Sequence, residues 1–207
     1  KLVLGGLMEP YAYVLRNLYG VWQTMQGRRQ GLEAMDVSGT DVWRSFQAVL
    51  VSIPMLWATW ISALRDIAPN STLTPASIML RLAFADAVAW LLPIALFALI
   101  ARPAKLTQRA AHFIVTNNWG SVIFIVITTL TVPFDLLSSD YDGLAATASA
   151  LALLVSLVFY FRMLHVALDA PYEVSIPVYA LMIFASLFGI YALYGALGLT
   201  YAGPSTG

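Results

Sequence analysis

The sequence predicts an all-α polytopic membrane bundle, with five transmembrane helices preceded by an amphipathic interfacial helix. Of its 207 residues 60% are hydrophobic and 11% charged, whereas soluble domains carry about 25% charged residues. Five stretches approach the roughly 20 apolar residues that cross a hydrocarbon core. The connections between them are too short to hold a separate soluble domain.

Residues 1–8 read as an extension or disordered start, with Met8 a candidate initiator. Residues 9–40 form a cytoplasmic amphipathic segment. Val14, Leu15, Leu18, Tyr19, Val21, Trp22 and Met25 recur at helical spacing, while Arg16, Asn17, Gln23, Gln26 and Arg28 supply a polar side. Such a helix lies in the headgroup layer or packs under the bundle. DVSGTDVW then offers Ser38, Thr40 or Asp41 as a cap for the first span.

Residues 41–200 are the transmembrane domain, with spans expected at 45–64, 77–101, 119–137, 144–168 and 175–198, and residues 201–207 form a disordered tail. Pro54, Pro93 and Pro133 fall inside the first three spans, where each removes a backbone hydrogen bond and can kink its helix. Arg16, Arg28, Arg29, Arg44, Arg102, Lys105, Arg109 and Arg162 collect on one side of this layout. By the positive-inside rule that side is cytoplasmic, so the N-terminus is expected inside and the C-terminus outside. Trp43, Trp119 and Tyr172 are expected at the cytoplasmic headgroup layer, and Tyr141 and Tyr201 at the outer one.

Candidate functional residues are few. Asp86, with Arg81 nearby, forms a possible intramembrane polar site in LRLAFADAVAW. A carboxylate at that depth is costly and faces protein, water or a partner. It is either a proton or cation site or a hydrogen-bonded acid that locks two spans together. Arg162, His165 and Asp169 are spaced three and four apart and share a helix face at the cytoplasmic end of span four. They are either a pH-responsive cluster or charges that complement the helix terminus. His112 is expected in the basic loop before span three.

Several chemistries lack their residues. The 11 basic and 11 acidic side chains cancel, and neither a zinc-finger spacing nor a Walker loop occurs, so nucleic acid is not an expected partner. With no cysteine there is no thiolate nucleophile or disulfide. No metal or other cofactor is expected, since two histidines on separate spans, without HExxH, make no zinc or di-haem set. No GxSxG elbow is present, and Ser121 after Trp119–Gly120 is only a faint echo of an intramembrane serine site.

The five close-set spans and the stretch GLEAMDVSGTDVWRSFQAVLVSIPMLW give the chain a layout that resembles the Yip family, and small inner-membrane proteins of proteobacteria. The resemblance implies a cytoplasmic N-terminal segment and an outside C-terminus. The DYxGP-type motif of the eukaryotic members is absent, and the resemblance assigns no functional residue. The expected function is a non-enzymatic scaffold or accessory subunit that organises lipid, packs with other membrane protein subunits or self-associates, using small-residue faces such as LAATASALALL. The competing expectation is a small ion-coupled transporter or channel built on Asp86.

Overall fold

The computed structural model describes residues 2–35, 37–133 and 142–199, and among them the fold is helical with no strand. Helix α1 (Leu2–Met25) turns back at Gly27 into the short α2 (Gln30–Ala34). The turn is tight because glycine carries no side chain at the contact. A Cβ on Gly31 would lie 2.3 Å from the Gly20 carbonyl oxygen, so the two backbones touch directly.

Five helices are long and apolar enough to cross a membrane. The first combines α3 (Gly39–Arg44) with α4 (Gln47–Ile67). Ser38 caps it reciprocally, its hydroxyl accepting from the Asp41 amide at 3.4 Å and donating to the Asp41 carboxylate at 2.6 Å. α5 (Pro75–Ile100) starts on a Thr74 cap followed by proline, an N-terminus that needs no proline amide. α6 (Ala110–Thr129), α7 (Asp142–Leu168) and α8 (Tyr172–Ala196) complete the set.

The third span is shifted from its expected position. The sequence reading put it at 119–137 with His112 in a loop, yet α6 begins at Ala110, carries His112 and ends before Pro133. Lys105 adopts a left-handed backbone (φ 57°) and the Leu106 amide bonds back to the Ala101 carbonyl at 2.7 Å. The basic connection is therefore brief, and the polar Thr116–Asn117–Asn118 run enters the bundle. Trp119, expected at the headgroup layer, is instead fully buried in the main core with Tyr13, Val21, Met25 and Met163. Trp43 and Tyr172 are exposed; Tyr141 and Tyr201 lie outside the described residues.

α6 is the hub. It packs against α1, α3, α4, α5 and α7, and its Gly120 lets Met163 and Met25 close over it. α1 lies on the bundle by a face different from the one its apolar pattern suggests. Tyr13, Asn17, Val21 and Thr24 are buried, whereas Tyr11, Leu15, Tyr19 and Trp22 form an exposed stripe. Asn17 is only half satisfied there: its amide donates to the Tyr13 carbonyl at 2.8 Å, while its Oδ1 is buried with no hydrogen-bond partner. Burial, and then the charge of Asp41, raise the Tyr13 phenol above its ordinary value of 10.0, against the opposing pull of Arg44 stacked on its ring.

Candidate functional site

The end of the bundle that gathers the basic residues is tied together by Asp169. α7 stops there in a left-handed turn (φ 46°), which aims the carboxylate back across the helix end. One oxygen meets Arg29 at 2.8 Å and the other meets Arg109, so the loop after α1, the start of α6 and the end of α7 converge on one side chain. None of the three is deeply buried, and such pairs orient more than they stabilise.

Beside this junction lies a cavity of about 580 Å³, walled by Gln26, Arg29, Phe161, Arg162, His165 and Tyr172 among others. His165 is held in a fixed pose. Its ring stacks on Tyr172 at 4.3 Å, and its Nδ1 sits 3.0 Å from the Ser175 hydroxyl. The Ser175 hydroxyl can also donate to the Ala170 carbonyl. Nδ1 is thus engaged with Ser175, and which of the two donates depends on the His165 tautomer. The cavity thus presents two guanidiniums beside aromatic walls, a set suited to an anionic oxygen group.

The three residues grouped by the sequence are divided by the fold. Arg162 and His165 share this cavity, while Asp169 borders a neighbouring one of about 260 Å³ with Glu33, Arg109 and His112. Arg29 borders both, and sequence reasoning missed it as a site residue. Its charge was visible, but nothing local placed a loop arginine beside α7.

Asp86 lies elsewhere. The Trp60 indole N–H donates to its carboxylate at 2.6 Å, which links α4 to α5 and turns the acid toward protein, as its alanine surroundings suggested. Two cavities meet at Asp86, of about 240 Å³ toward Thr59, Thr128 and Tyr194 and about 190 Å³ toward Trp90 and Ser121. Arg81 does not join it. Its guanidinium donates to the Leu197 carbonyl, capping the end of α8.

No family model, curated protein or solved structure matches this chain.

The geometry alone therefore carries the reading. Among the described residues no group of three or more His, Cys, Asp or Glu is placed to hold a metal ion. A second polar constellation escaped the sequence reading altogether. The Trp90 indole donates to Asn118 at 2.9 Å, Asn118 donates to Ser45 at 2.8 Å, and Ser45 donates to the Val42 carbonyl at 2.6 Å. This chain of donors fastens α5, α6 and the start of the first span.

Proposed function

We propose that the protein is a non-enzymatic, multi-pass scaffold or accessory subunit of a bacterial inner membrane, with a cytoplasmic N-terminus and an outside C-terminus. It organises anionic lipid and packs with other membrane proteins. The observation that carries this reading is the basic-end cavity, where Arg29, Arg162 and His165 face one space beside aromatic rings. Basic pockets between spans on the cytoplasmic side hold lipid phosphates, and the bilayer supplies such groups at that depth. The exposed stripe on α1 keeps this end against the membrane surface.

The test is lipid retention after reconstitution in nanodiscs of phosphatidylcholine with a minor fraction of phosphatidylglycerol. Arg162→Gln should reduce the anionic lipid held per protein about tenfold, the loss of one charge-assisted contact of about 1.4 kcal/mol. Equal retention by the variant would remove the lipid role. Orientation is read directly, because the chain has no cysteine and single cysteines placed near residues 30 and 70 can be labelled from either side.

A second reading, ion-coupled transport, is favoured by the two cavities that meet at Asp86. Asp86→Asn should then abolish ion-driven uptake in vesicles while the helices stay folded. Flux that is unchanged by this substitution would take Asp86 out of any transport mechanism.

A further inference from the structure

The two cavities at the basic end differ in charge. In the wall of the larger one, of about 580 Å³, Arg29 and Arg162 stand with no carboxylate. The smaller one, of about 260 Å³, has Glu33 and Asp169 in its wall together with Arg109 and His112. Arg29 stands between the two and borders both.

Arg29 is placed to change sides. It lies in the short turn between α1 and α2, and its side chain is 74% exposed although its Nη1 meets Asp169 Oδ1 at 2.8 Å. The neighbouring Arg28 is held back on α1, where it donates to the Gln23 side chain at 2.9 Å. Asp169 does not depend on Arg29 for a partner. Its other oxygen meets Arg109, whose side chain is only 28% exposed.

The unequal exposure of the two arginines decides which pair yields. An exposed ion pair contributes little and is screened by salt. A guanidinium on a phosphate instead makes charge-assisted hydrogen bonds that can be two-pronged, and these are stronger. The Arg29 pair is thus the weak link of the junction, and the Arg109 pair the one that stays.

We infer that Asp169 is the resident competitor of the larger cavity: with no anion bound it holds Arg29, and a lipid phosphate seated beside Arg162 takes Arg29 from it. Asp169 keeps Arg109 throughout, so the exchange strands no carboxylate. The Asp169 charge weakens the site for anionic lipid, and the site fills only where such lipid is plentiful. Filling it unties the α1–α2 turn from the end of α7, and by linkage the tied turn disfavours the lipid by the same factor. This regulation rests on the anionic-lipid reading of the cavity.

The experiment uses the full chain in phosphatidylcholine nanodiscs in which phosphatidylglycerol rises from none to a minor fraction. Asp169→Asn loses the charge but keeps an acceptor oxygen for Arg109, and it should retain about threefold more anionic lipid than the unsubstituted chain. Spin labels on Gln30→Cys and Glu173→Cys, two exposed positions in a protein without cysteine, report the distance from the turn to the start of α8. Its distribution should broaden as phosphatidylglycerol is added, and in Asp169→Asn it should be broad from the outset. Inorganic phosphate at matched ionic strength should leave it unchanged. If Asp169→Asn retains no more lipid than the unsubstituted chain while Arg162→Gln still loses it, the competition is overturned and the lipid site stands. Equal retention by Arg162→Gln removes both. A distance that phosphatidylglycerol does not change overturns the exchange even where Asp169→Asn fails to fold, and broadening by phosphate alone overturns lipid as its cause.

Discussion

α6 and α8 are both membrane-length helices, yet one is the hub and the other the rim. Of their apolar windows 44% is buried in α6 and 11% in α8, although α6 is the less apolar of the two. Lipid tails are as apolar as leucine, so hydropathy gives no force that pulls one helix to the centre. Polar hydrogen bonds and small residues do. α6 offers Asn118 to Trp90 and Ser45, and Gly120 to Met163 and Met25. α8 instead shows Phe184, Leu187, Phe188 and Tyr191 to the surroundings.

The sharpest way to break this contrast is Gly120→Leu. A Cβ there already falls 2.5 Å from the Met163 sulfur in a filled core, so overpacking should cost about 3 kcal/mol in a denaturant titration in mixed micelles. Next comes Asn118→Leu, which strands the Trp90 indole N–H and should cost about 1–2 kcal/mol; a near-neutral result would mean that apolar packing alone centres α6. Asp169→Asn releases Arg29 and Arg109 at the basic end and should cost under about 1 kcal/mol, with the difference shrinking as salt rises. The smallest effect belongs to the rim: Phe184→Leu on α8 should stay within about 0.5 kcal/mol. A large loss there would show that α8 is covered by protein rather than lipid.

The spans at 45–64, 77–101, 144–168 and 175–198 were legible because a run of apolar residues of bilayer length has few other uses. Span three was misplaced because its first turns hold His112, Thr116, Asn117 and Asn118, which read as a loop until their partners are known. The polar site on Asp86 was legible as a residue but not as a contact, since Trp60 stands on another helix. Arg162 and His165 line one cavity, which Arg29 reaches only through the fold of the α1–α2 hairpin.

The amino-acid sequence by itself determined the class of this protein, four of its five spans and the side of the bundle that gathers charge, because these follow from hydrophobicity and counting along one chain. Tertiary structure alone decided which helix is central, which face of α1 is buried, and which polar groups meet. Those outcomes depend on donors finding acceptors and side chains filling gaps between segments far apart in the chain, and lipid, unlike water, does not distinguish one apolar face from another.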